Sequence, residues 1–194
     1  MKITLITLLL STSLFAQEKA TDLFNLNVSV LGIGVQYEKA LSENFTAVAS
    51  LDYLGGFSYM EDFTGDSELN YILTTGISLE GRYYYNFDRR LSKGKRITNN
   101  TGNYVALKGN YLPDLLTSSS EGLTLNPQGS LTVNYGIKRS FATNFFYEFY
   151  TGLGMSFYQD ENYSFDSENQ TYNPYHSTTT AVALDLGFRV GYNF

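Results

Sequence analysis

The last thirteen residues, VALDLGFRVGYNF, alternate strictly between two kinds of side chain. Val182, Leu184, Leu186, Phe188, Val190, Tyr192 and Phe194 fall on one parity, and Ala183, Asp185, Gly187, Arg189, Gly191 and Asn193 on the other. The same rule runs through NFFYEFYTGLGMSFY, where Phe145, Tyr147, Phe149, Leu153, Met155 and Phe157 alternate with Glu148, Gly152, Gly154 and Ser156. In LTVNYGIK, Leu131, Val133, Tyr135 and Ile137 alternate with Thr132, Asn134, Gly136 and Lys138. LNYILTTGISLEGRYYYNF repeats it, and FTAVASLDY and YVALKGNY follow less cleanly. A period of two predicts β-strands with two unlike faces.

Three of these stretches, near 69–87, 143–158 and 177–194, exceed the ~5–6 residues usual in soluble proteins and the ~9–11 of a tilted membrane strand. Their polar face is rich in glycine and other small residues, which suits a crowded closed interior. A soluble sandwich is the alternative: it would bury the large apolar face and wet the polar one. Connections also alternate in length. Short ones fall at 39–44 and 139–143, and long ones at 57–68, 114–125 and 159–176. Short turns at one end and long loops at the other are the habit of outer-membrane barrels. The segment 88–102 is long, yet its place in the sequence puts it at the short-turn end.

Strand parity fixes the expected count. Six strands follow from Phe45 onward, so residues 23–40 must supply the remainder of an even number. There the apolar phase runs Phe24, Leu26, Val28, Val30 and then Ile33, Val35, Tyr37, slipping by one at Leu31–Gly32. A slip marks a bulge in one strand or a turn between two. A short first hairpin is expected, giving eight strands.

Composition sharpens this picture in a few places. Tyr 17 and Phe 14 are high, and Gly 17 against Pro 3 fits strands and tight turns. With Cys 0, disulfides, thiolate metal sites and an N-terminal lipidated cysteine are excluded. A net charge of -6 argues against a nucleic-acid partner. The opening MKITLITLLLSTSLFAQ, one lysine then an apolar run ending at Ala16, reads as a secretory signal peptide over 1–16. The mature domain is then 17–194, and no later stretch approaches the ~20 apolar residues of a spanning helix.

The signal peptide, the period-two strands, the turn alternation and the terminal VGYNF together resemble small outer-membrane β-barrel proteins of the OmpA/OmpX-like type. The resemblance covers nearly all of the mature chain. It implies an all-β fold, an antiparallel up-and-down transmembrane barrel of eight strands in the cell outer membrane. It also implies that Val190, Tyr192 and Phe194 are read by the outer-membrane insertion machinery. The stretch LEGRYYYNFDRRLSKGKRITNNTGNYVALKGNY resembles an uncharacterised group of barrels from gliding and gut-type Gram-negative bacteria, which implies no activity. The expected partners are outer-membrane lipid and that machinery, with the chain a monomer, and no cofactor or metal is implied.

Candidate chemistry lies in three places. Glu80, Arg82, Lys108, Glu148, Asp185 and Arg189 sit on the polar parity of four strands and at similar depth. They are expected to pair across a filled lumen, because an unpaired buried charge is costly; re-pairing to open a narrow path for small solutes is the alternative. Arg89, Arg90, Lys93, Lys95 and Arg96 form a basic turn at the short-turn end, facing phospholipid phosphates of the inner leaflet, a periplasmic partner, or solvent alone. The outer segments are acidic, with Glu61, Asp62, Asp66, Glu68, Asp160, Glu161, Asp166 and Glu168, but lack the spacing of a calcium loop. The expected role is structural or in binding, through the outer loops or the basic turn. The enzyme alternative, a lipid A-modifying activity, rests on His176 beside Ser177 and Thr178, with Glu168 and Asp160 nearby. Adjacent strand residues point to opposite faces, which makes His176 and Ser177 a poor catalytic pair.

Overall fold

A computed structural model describes residues 19–61, 67–120, 125–166 and 171–194, with the backbone alone for 57–61, 67–69, 160–166 and 171–176. The expected signal peptide lies outside the described residues. Among the described residues nine strands form one antiparallel sheet that closes on itself: β1 Leu23–Ser29, β2 Gly32–Ala40, β3 Phe45–Glu61, β4 Ser67–Tyr83, β5 Gly102–Leu112, β6 Ser118–Ser119, β7 Gln128–Phe141, β8 Phe145–Asp166 and β9 Thr171–Asn193. Eight of them make the ring in chain order, and β9 returns to β1 through five pairs, Asn25–Ser29 against Asn193–Arg189. The phase slip at Leu31–Gly32 is a turn: β1 pairs β2 from Leu23↔Glu38 to Ser29↔Gly32, with Val30 and Leu31 between.

The sheet departs from the expected eight strands by one. β6 is a two-residue strand that pairs Ser118 and Ser119 with Leu73 and Ile72 of β4, beyond the last β4–β5 pair at Ile77↔Tyr111. A two-residue strand is too short for a period to be seen. Two segments expected as long loops are largely strand. The ladder between β3 and β4 continues to Glu61↔Ser67, and that between β8 and β9 to Asp166↔Thr171. Past Tyr158, whose partner Gln128 begins β7, β8 pairs only with β9, so the two leave the ring as a ribbon. A two-stranded ribbon has solvent on both faces and loses the polar/apolar contrast that reveals a strand.

Outside, the ring carries its large apolar side chains. Val182 is 84% exposed, Leu184 70%, Leu79 66% and Leu153 62%. Inside, the buried groups are polar: Asn25, Gln36, Glu38, Arg82, Asn134, Lys138 and Glu148. On β8 this outward apolar parity runs from Phe145 to Phe157, roughly 30 Å of height at ~3.4 Å per residue and ~40° tilt.

The long segment at the short-turn end folds underneath the ring. It holds α1, Phe87–Ser92, and a single 3-10 turn, Thr98–Asn100. Phe87 is fully buried and stacks on Tyr84 with ring centroids 4.6 Å apart. Asn100 is also buried; its Oδ1 accepts from the Thr21 N–H at 2.8 Å and its Nδ2 donates to the Thr21 carbonyl at 2.9 Å. Ala20, Tyr84, Phe87, Tyr104 and Ala106 thus make a small apolar cluster that closes this mouth.

Candidate functional site

All six lumen residues singled out from the sequence point inward, and they separate into two levels. The lower level centres on Glu148, which is fully buried. Its Oε1 lies 2.9 Å from Arg82 Nη1 and accepts from the Tyr104 hydroxyl at 2.6 Å; its Oε2 accepts from Arg189 Nε at 2.5 Å. Arg82 Nη2 donates to Glu80 Oε2 at 2.8 Å, and the guanidinium sits 4.5 Å from the Tyr104 ring centre. The register explains the closest of these contacts: Glu148 stands directly opposite Arg189, and cross-strand neighbours on one face meet.

Two members of this level were absent from the sequence-derived set, Glu38 and Lys138. Lys138 faces Glu148 across β7–β8, yet its Nζ reaches over the lumen to Glu38 Oε2 at 2.8 Å. Glu38 Oε1 also accepts from Tyr84 at 2.8 Å and Thr46 at 2.9 Å. Both residues follow the inward parity, Glu38 with Gly34 and Gln36, Lys138 with Asn134 and Gly136. Lys138 already stood on the polar parity of LTVNYGIK; what the linear pattern does not show is its partner across the ring. With them the level holds three carboxylates, Glu38, Glu80 and Glu148, against three cations, Arg82, Lys138 and Arg189, each at most 7% exposed. Gly136 makes room for it, since a Cβ there would run into the Tyr104 ring.

The upper level is wetter. Lys108 Nζ donates to Asp185 Oδ2 at 2.9 Å, with side chains 14% and 20% exposed, and Asn134 Nδ2 donates to the same oxygen at 2.7 Å. Above these lies a cavity of about 420 Å³ whose lining includes Asp52, Glu80, Lys108, Asp185 and Arg189.

The basic turn forms a second concavity, of about 310 Å³, at the opposite end of the ring. Arg89, Arg90, Lys93 and Lys95 line it together with Arg139 from β7, and among the described residues no carboxylate does. Arg90 is anchored there by two bonds to the Arg96 carbonyl, at 3.1 and 2.9 Å. Arg139 is held by the Gly102 carbonyl at 2.8 Å and the Asn103 Oδ1 at 2.5 Å. Burial, and then the like charge of Arg139, pull the Arg90 pKa below its usual value. Arg96 donates no side-chain bond to this cavity; its backbone is what fixes Arg90. Sequence reading placed the five turn cations but not Arg139, which lies far away along the chain.

Tyr192 and Phe194 end the ring in an aromatic cluster. The Phe194 ring lies 5.1 Å from Tyr192 and 5.8 Å from Phe24, and the Phe194 N–H donates to the Phe24 carbonyl at 2.9 Å. Val190 shares their outward parity and stands opposite Val28. His176 lies in β9 opposite Glu161, but both side chains, like Glu168 and the side chain of Asp160, fall outside the described residues, as do the acidic side chains of 61–68. Among the described residues no group of acidic or histidine side chains is placed to hold a metal ion.

Comparison of the chain with protein-family models, with curated proteins and with solved structures finds no match.

Proposed function

We propose that the ring is a transmembrane β-barrel of a Gram-negative outer membrane, with α1 and the short turns in the periplasm and the β3–β4 and β8–β9 hairpins facing outward. One observation carries this reading: the outer wall exposes large apolar side chains while charged and amide groups fill the inside. In water that inversion would leave an apolar patch far above the few hundred Å² tolerated by a soluble monomer. In lipid it is the arrangement required, because a closed ring satisfies strand backbone without water.

The barrel's role is binding and anchoring rather than conduction. The lower ion-pair level and the Tyr84–Phe87–Tyr104 cluster fill its cross-section, as expected of eight strands. The basic concavity at the periplasmic mouth supplies the contact surface. Five cations without a carboxylate suit phosphate headgroups of the inner leaflet. Expression with the leader, membrane fractionation and gel electrophoresis with and without boiling test the architecture. A heat-shifted band in the outer-membrane fraction is the expected result; a soluble periplasmic protein without a shift refutes it. Planar-bilayer recording tests the filled lumen, and steady single-channel conductance would favour the narrow-path reading instead.

A further inference from the structure

The wall of the ring is not of even height. The β1–β2 hairpin turns back at Val30–Leu31, and its outward apolar residues run only from Phe24 to Val30, roughly 15 Å of height at ~3.4 Å per residue and ~40° tilt. Above the turn, β3 from Gly55 onward pairs only with β4, and β9 from Phe188 back to Thr171 pairs only with β8. One bond ties β3 to the hairpin turn at the base of the gap, from the Gly55 N–H to the Leu31 carbonyl at 2.6 Å. Meanwhile the outward face of β9 stays apolar up to Val182. The wall therefore has a notch between β3 and β9 within the height of the apolar band.

The 420 Å³ cavity lies at this notch. Val30, Leu31 and Leu186 border it on the hairpin and β9 side, and Asp52 and Leu54 enter it from β3. Asp52 is singular among the lumen charges. Among the described residues it has neither a hydrogen bond nor an ion pair at contact distance and feels Arg189 and Lys108 only through space, whereas Glu38, Glu80, Glu148 and Asp185 are all paired. The inward-facing charges described are then five carboxylates against four cations, Arg82, Lys108, Lys138 and Arg189. Room for the unpaired group is built in: Asp52 stands opposite Gly34, where a Cβ would run into its carboxylate.

We infer that this notch is a lateral binding site for an amphipathic amine. The ammonium group pairs with Asp52 inside the ring, and the apolar tail passes over Val30–Leu31, beside Leu186, into the lipid. The ligand restores charge balance, and its tail packs on the apolar side chains that border the notch. An anionic or neutral tail lacks the first interaction, and a hydrophilic amine lacks the second. The inference rests on the barrel reading, since without lipid the notch has no apolar side.

Native mass spectrometry of the protein released from maltoside micelles tests it, with dodecylammonium as the probe and dodecanol and dodecyl sulfate as controls. The heat-shifted band of each sample shows first that a closed barrel is present; its absence in the wild type overturns the barrel reading and this inference together. With the shift present, one saturable dodecylammonium adduct per chain is expected, with no matching adduct from either control. Asp52→Asn should weaken that adduct by roughly thirtyfold or more, the loss usual when one partner of a buried charge pair is removed. Leu54→Trp, which keeps the charge but fills the cavity, should abolish it while the heat shift remains. Equal binding to Asp52→Asn, equal binding of dodecanol, or a dimer that excludes the amine would each overturn the inference.

Discussion

Replacing Glu148 by Gln should destabilise the protein more than any other single change of similar size. The side chain is fully buried and takes three contacts, from Arg82, Tyr104 and Arg189. Glutamine keeps the shape and one accepting oxygen. Its amide, however, turns donor hydrogens toward an arginine that has only donors to offer. The level around it then holds two carboxylates against three cations. Breaking a buried pair in this way costs about 3–5 kcal/mol, which lowers a guanidinium midpoint by roughly 1 M. The assay is equilibrium unfolding in micelles, followed by tryptophan-free tyrosine fluorescence and by the heat-shifted band. The double variant Glu148→Gln/Arg189→Gln restores the balance, and about 1–3 kcal/mol should return relative to the sum of the singles. A loss below about 1 kcal/mol, or strict additivity, would mean that water reaches these charges and solvates them, so that the lower level is not a dry network.

Three further outcomes follow from the same geometry. Gly136→Ala should cost about 1–3 kcal/mol by pushing the Tyr104 ring off Glu148, measured by the same unfolding assay; Gly109→Ala, where nothing lies within 4 Å, is the control and should be near neutral. The bond from Lys39, aided by the Ala40 N–H and against a burial effect, holds the Asp22 carboxyl below its ordinary range. Its contribution is therefore complete above the unfolded value of about 3.9 and is lost as pH falls through the lower folded value. Protection of the Ala40 amide, corrected for the intrinsic exchange rate, should be constant near neutrality and fall below about pH 4; protection unchanged to about pH 2 would dismiss that bond as a clamp. Finally, Arg89→Gln/Lys93→Gln should reduce co-purifying phosphatidylglycerol, with each charge worth about 1 kcal/mol at an anionic surface. Unchanged lipid retention would return the basic turn to the role of a solvated loop.

The period of two carried most of the ring, because each ring strand separates an apolar outside from a polar inside. The slip at Leu31–Gly32 likewise marked a real turn, since a turn is the place where parity can change. Parity fails where both faces meet the same surroundings. That is why residues 159–166 and 171–176 read as a loop although they are strand, whereas β6, at two residues, is too short to show a period. The segment 87–100 failed for another reason. Phe87 docks on Tyr84 through a single residue, which leaves no period to detect. In the lumen, parity identified inward charges but not their partners across the ring. The reach of Lys138 to Glu38, and the arrival of Arg139 beside Arg90, depend on ring closure, and a linear pattern does not record it.

The seam between β1 and β9 has a consequence for how the molecule forms. Every other main ladder joins strands that are near neighbours in the chain, so each can zip from its own turn. The seam joins Asn25–Ser29 to Arg189–Asn193, almost the whole chain apart, through only five pairs. Loop-closure entropy is largest for that step and the reward per step is smallest. The seam is therefore expected to close last, from a curled sheet whose other ladders are in place and whose two edges are free. That sheet presents β9 as an open template, and whichever strand reaches that edge first, its own β1 or a strand of another protein, decides whether the sheet becomes a ring.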